Sequence, residues 1–236
     1  MKKIAAALFL FISMAVMTLP ASADTYTLHF SGPGGASAGG EYIYPYEFNI
    51  TNDTTHTTTA GSVAMMCIDF TRTIAIPETW DANLVQVSSA LPTAGSDDQK
   101  FRALAILDAK VIASIAPGYS GPSTADIQYA AWAILSDLTG NASFDATAQA
   151  LKTQALSDAL GSDGGFDFSD YSIFDPIPGT ADPSNYGLPQ RFMLFTPSTG
   201  NVVPHVLPTP EPSSLMLLGT GVLGAASVVR RRLLKS

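Results

Sequence analysis

Cysteine is all but missing from this 236-residue chain, which has one, Cys67. A lone thiol rules out an internal disulfide, so stability has to come from packing. Basic residues are scarce wherever the chain could build a domain. Residues 24–209 hold six of them, Arg72, Lys100, Arg102, Lys110, Lys152 and Arg191, against 19 acidic residues, a net charge of −13. Nucleic acid is excluded as a partner, because neutralising its phosphates takes a basic surface. The G-x-S-x-G elbow, the Walker loop and HExxH are also lacking, and His29, His56 and His205 are too far apart in sequence to suggest metal-ligand spacing. These absences argue against an enzyme and call for no cofactor and no metal. No internal repeat is present either, which disfavours a propeller or solenoid.

The missing positive charge is at the two ends. Lys2-Lys3, an apolar stretch over 4–16 and Ala21-Ser22-Ala23 form the basic, hydrophobic and small-residue regions of a secretory signal peptide, residues 1–23. At the other end, Pro210-Glu211-Pro212 precedes an uncharged apolar run over 213–229 and then Arg230-Arg231-Arg232. Its seventeen residues reach the short end of the about 17–25 needed to span a bilayer as a helix. The arginines would hold its end on the cytoplasmic side, with everything before Pro210 outside. Gly219-Thr220-Gly221-Val222-Leu223-Gly224 spells GxGxxG within this run, but with no strand before it and no βαβ unit around it, small residues easing helix packing are the better reading. This three-part terminus, residues 210–236, resembles the PEP-CTERM sorting signal. The resemblance implies processing by signal peptidase and by a membrane-embedded exosortase that cuts at or near the Pro210-Glu211-Pro212 tripeptide. It also implies export across the inner membrane, transient anchoring by the C-terminal helix, and delivery to the cell surface or extracellular matrix.

Between the ends, residues 24–209 are enough chain for one domain with a real core. Stretches rich in aromatic and β-branched residues predict strands over 25–30, 42–51 and 63–76, separated by the glycine-rich 32–40 and the threonine-rich 51–59. Helix signals then take over. Ser96 with Gln99 reads as a capping box, and Phe101, Leu104, Leu107, Val111 and Ile115 trace an apolar face up to Pro117-Gly118. Ser123 with Asp126 opens a second helix running to Leu138 before Gly140, and 145–160 forms a third. After a Gly/Asp/Pro-rich loop, two further strands are expected over 191–195 and 201–206. The expected class is α+β: an antiparallel β-rich domain with a helical insert at about 96–160, flanked by the signal peptide and the transmembrane sorting helix. Asp163, Asp167, Asp170 and Asp175 could offer oxygen to Ca²⁺, but their spacing is not that of an EF-hand and a solvated acidic loop is the better reading.

One pair of motifs carries chemistry. Met66-Cys67-Ile68-Asp69 falls on an expected strand, and about sixty residues later the second helix begins with Ile127-Gln128-Tyr129-Ala130-Ala131-Trp132. The two motifs resemble those of the Cys–Gln thioester domains of bacterial surface adhesins. The resemblance implies that the Cys67 sulfur attacks the Gln128 carboxamide, that ammonia leaves, and that the internal thioester acylates a nucleophile on a target surface. Such a step needs a thiol held against an amide carbonyl in a shielded site, where proximity replaces a slow encounter. Gln128 and Trp132 are four residues apart, so one helix face would set the acyl group beside an aromatic wall. The residues leave another reading open: Cys67 as a small buried hydrophobe, Gln128 as a solvated or capping side chain, and Trp132 as a core anchor. The expected function is adhesion to a surface protein or to cell-surface or biofilm polysaccharide. The alternatives are a passive structural matrix protein and, with least support, a secreted enzyme.

Overall fold

A computed structural model describes residues 24–161, 166–182 and 187–197. The expected signal peptide, the strand over 201–206 and the sorting helix over 213–229 lie outside the described residues. Among the described residues, no helix is long and apolar enough to cross a membrane.

Alternation of side chains builds the first strands. In β1 (Thr25–Pro33), Tyr26, Leu28 and Phe30 are buried while their neighbours face outward, and in β4 (Tyr46–Asn52) the same period buries Tyr46, Phe48, Ile50 and Asn52. Between them β2 (Ser37–Ala38) and β3 (Glu41–Tyr42) pair as a small separate hairpin. The strand expected over 42–51 is therefore interrupted: β3 ends at Tyr42 and β4 starts after Pro45, which has no N–H to give to a ladder. The short β5 (Thr57–Thr58) lies beside β4, and β6 (Val63–Cys67) pairs with β4 on its other registers. The strand expected over 63–76 stops at Cys67. Asp69 Oδ1 accepts from the Thr71 backbone N–H and hydroxyl, Oδ2 pairs with Arg72 Nε at 2.9 Å, and the chain turns.

Three further strands complete the sheet: β7 (Glu78–Gln86), β8 (Tyr171–Pro176) and β9 (Phe192–Phe195). β7 and β8 are not among the strands expected from the sequence. β7 carries Asp and Asn on its outer face, which masks its period, and β8, buried on both faces inside the Gly/Asp/Pro-rich segment, has none. The sheet runs β1-β7-β8-β9-β6-β4 with antiparallel neighbours, and β4 pairs back onto β1, closing a barrel. Rings fill its interior: Phe48 meets Phe192 with centroids 4.6 Å apart and Trp80 at 5.7 Å, both edge-on. Each such pair is worth about 0.5–1.5 kcal/mol beyond its buried area.

The helices enter between β7 and β8. In α1 (Asp97–Ser114), Ser96 caps the Gln99 N–H, but Gln99 does not return the bond to Ser96. Its carbonyl oxygen accepts from Gly95 N–H at 2.5 Å and its amide donates to Leu156 O at 2.7 Å, so the side chain ties α1 to α3. Leu104, Leu107 and Val111 are buried, whereas Ile115, placed on the same face from sequence, is the C-cap and is exposed. α2 (Thr124–Leu135) opens on the complete Ser123–Asp126 capping box and ends three residues short of Leu138. α3 (Ala146–Asp158) is capped by Asp145. The three helices pack on one another, α1 against β9 and α2 against β6. Arg102, fully buried in α1, donates to the carbonyls of Ser89, Ala90 and Gly161 and lies over the Phe168 ring, fastening the loop before α1 to the end of α3.

Candidate functional site

Strand β6 ends at Cys67, whose register partner is Phe192, so its side chain shares a face with the barrel's central ring. Helix α2 lies against β6 with Gln128 in its first turns. The result joins the two sequence motifs. Gln128 Nε2 donates to the backbone carbonyl of Cys67 at 2.6 Å, and its Oε1 accepts from the Tyr44 backbone N–H at 3.3 Å. One turn on, Trp132 Nε1 donates to Cys67 Sγ at 3.3 Å. Both carboxamide groups are thus bonded, as a fully buried amide requires.

Aromatic rings wall the pair in. Tyr129 meets Trp132 edge-on with centroids 5.0 Å apart, and Phe70, just past the β6 turn, lies 5.1 Å from Trp132. The Tyr129 hydroxyl leaves this cluster to donate to Ala38 O in the β2–β3 hairpin at 3.1 Å. Cys67 and Gln128 are each 0% exposed. Burial pushes the Cys67 thiol up to about 12, with the negative charges of Asp69 and Glu41 adding to the effect. Bonds from Trp132 and with the Asp69 backbone pull the other way. At neutral pH the sulfur therefore carries its proton, which its Sγ directs at Asp69 O, 3.5 Å away.

Chemically, this is a protonated thiol on a residue whose backbone carbonyl holds a carboxamide, and the carboxamide oxygen faces a backbone N–H. A donor at that oxygen is where acyl-transfer chemistry needs one, because negative charge gathers there when a nucleophile adds to the carbonyl. Sequence reasoning found Cys67, Gln128 and Trp132 but missed Tyr44, Phe70 and Tyr129. Tyr44 acts through its backbone, which leaves no residue-type signature. Tyr129 sat inside the quoted motif, and its polar tip on an otherwise apolar helix start was the available sign.

Elsewhere the carboxylates have local work. Asp167 Oδ1 accepts from the Ser169 N–H and hydroxyl, and Asp175 pairs with Arg191 at 2.7 Å; Asp163 lies outside the described residues. Among the described residues, no group of three or more His, Cys, Asp or Glu could hold a metal ion. His29 shares a hydrogen bond with Thr79 on the outer barrel face, and His205 lies outside the described residues.

Pro210, Glu211, Pro212, Arg230, Arg231 and Arg232 also lie outside the described residues, and here a family comparison decides. Residues 208–232 match the model of the PEP-CTERM protein-sorting motif. The chain carries a PEP-CTERM sorting signal. That signal implies an exported protein, processed by exosortase and sorted to the cell surface or extracellular space. The match covers the sorting signal alone, so the PEP-CTERM assignment names the route and leaves the barrel domain to be read from its own residues. No curated protein and no solved structure matches the chain.

Proposed function

We propose that this exosortase-sorted protein is an extracellular attachment module whose Cys67 and Gln128 condense to an internal thioester. The observation that supports it is the Gln128 carboxamide clasped between Cys67 O and Tyr44 N–H, with the Trp132 indole on the sulfur. In the reaction a bond forms between Cys67 Sγ and Gln128 Cδ, the Cδ–Nε2 bond breaks, and the thiol proton leaves with the nitrogen as ammonia. The Tyr44 N–H steadies the oxyanion, and no outside oxidant or base is consumed. An amine or hydroxyl on a surface protein, or on cell-surface or biofilm polysaccharide, then takes the acyl group from sulfur and restores the thiol. The apolar run over 213–229 would anchor the precursor after signal peptidase has removed residues 1–23, until exosortase cuts near Pro210-Glu211-Pro212.

Methylamine tests the chemistry. The exported protein should gain one methylamine at Gln128 and expose one titratable thiol in the same step, with neither change in Cys67→Ala or Gln128→Ala. A second reading, a passive matrix protein without the bond, draws support from the complete burial of both groups and the high thiol pKa, which suit inert core residues equally. Under that reading methylamine adds nothing and the folded protein has a free thiol from the outset.

A further inference from the structure

A reacting pair that is wholly buried has to be uncovered before any surface nucleophile can reach it. Next to it runs a strap of chain, residues 34–42, that leaves the barrel after β1, turns through the β2–β3 hairpin against Tyr129 and leads into Tyr44, whose N–H bonds Gln128. Most of its residues are exposed. The β2–β3 pairing holds it together as a unit, and Gly34 N–H to Pro45 O and Ile43 N–H to Ala36 O close its base on the barrel. Beyond that base, two side-chain bonds tie the strap to the body: Tyr129 Oη to Ala38 O at 3.1 Å, and Tyr46 Oη to Tyr42 O. Gly39 packs so tightly beneath that a Cβ there would collide with both the Tyr129 hydroxyl and Ser143 Oγ. Gly35 and Gly40, at φ +93° and +88°, sit at the bends of the strap in the left-handed region that glycine enters and leaves without steric cost.

We infer that the glycine-hinged strap 34–42 is the gate to the Cys67–Gln128 pair, and that the Tyr129 hydroxyl on Ala38 O is its latch. The inference rests on the attachment reading for its biological meaning, though the gate can be tested without it. Closed, the strap shields a thioester from water. Opened, it lifts Ala38 from Tyr129 and frees a path past Trp132 to the acyl carbon, while Tyr44, in the strap's trailing end, stays on the barrel to hold the Gln128 oxygen. The gate opens by local motion, with the barrel intact.

The test uses the full chain, expressed with its own leader and purified after export, in a Gln128→Ala background where no thioester can form. The rate of Cys67 alkylation by iodoacetamide is followed at one fixed pH. Adding Tyr129→Phe, which keeps the ring and removes the latch, should speed labelling roughly two- to tenfold, as loss of one ordinary hydrogen bond from the closed form dictates. Gly39→Ala, which wedges the strap outward, should speed it at least as much. In both variants the rate should be flat in low urea, the mark of local opening. Unchanged labelling in both variants, or labelling that climbs with urea along the full slope of global unfolding, overturns the gate. The thioester is judged separately by methylamine uptake in the otherwise unaltered chain, so either idea can fail without the other.

Discussion

The two sides of the barrel wall are built on different rules. β1, β4 and β7 alternate buried and outward-facing residues, with Thr27, His29, Thr51, Thr79 and Asp81 forming a polar outer surface. On the other side the buried residues are consecutive: Met65 to Cys67 in β6, Tyr171 to Phe174 in β8 and Phe192 to Leu194 in β9, with α2 packed against β6 and α1 against β9. The solvent-facing side needs packing on one face only. The covered side has two apolar faces, and the Cys67–Gln128 pair lies where strand meets helix, as a polar, fully hydrogen-bonded island. Packing explains the first side, and polar satisfaction has to be added to explain the second.

Large truncations inside the ring cluster should cost most. Trp80→Ala or Phe48→Ala removes a ring shared by several strands and should destabilise by about 3–5 kcal/mol. On the outer face of the same strands, Thr51→Ala should move stability by no more than about 0.5 kcal/mol. Chemical denaturation midpoints of the two variants measure the contrast directly. A similar loss from both would mean that the alternation does not describe the load.

The helical layer should be next. Arg102→Met keeps the apolar stem but strands the Ser89, Ala90 and Gly161 carbonyls, and should cost about 2–3 kcal/mol by the same measurement. Asp108, also in α1 and fully buried, has an Oδ1 without a hydrogen-bond partner, and burial holds its carboxyl well above the usual range. A carboxyl raised in the folded state stabilises fully below its unfolded pKa of about 4 and loses that contribution as pH climbs toward the folded value. Asp108→Asn should therefore gain on the parent as pH rises from about 4, with the two converging at lower pH; a pH-independent offset would contradict this. The smallest effect belongs to the α2 start, where Ser123→Ala should cost about 1 kcal/mol through the lost cap.

The same contrast sets what the sequence made legible. β1 and β4 were readable because Tyr26, Leu28, Phe30, Phe48 and Ile50 mark a clean period of two, and the caps at Ser96 and Ser123 and the segment start at Asp145 each fall one residue before a helix start. β8 was not, since a strand buried on both faces shows no alternation and its six residues lie amid Gly, Asp and Pro. β7 escaped because Asp81 and Asn83, on its outer face, are residues that strands usually avoid. At the site, the side chains with unusual chemistry, Cys67, Gln128 and Trp132, stood out. The backbone donor of Tyr44 and the cover supplied by residues 34–42 depend on tertiary placement, and a glycine-rich segment reads as a loop whatever it lies over.

The central claim, that the island on the covered side is reactive and not merely satisfied, comes down to one mass. Intact-mass measurement of the exported protein, purified without amines or reductant, should give a value one ammonia below that of the processed sequence, with the deficit absent in Cys67→Ala and Gln128→Ala. A full-mass protein whose Cys67 titrates quantitatively as a free thiol would contradict it and leave Cys67 and Gln128 as packing between a strand and a helix.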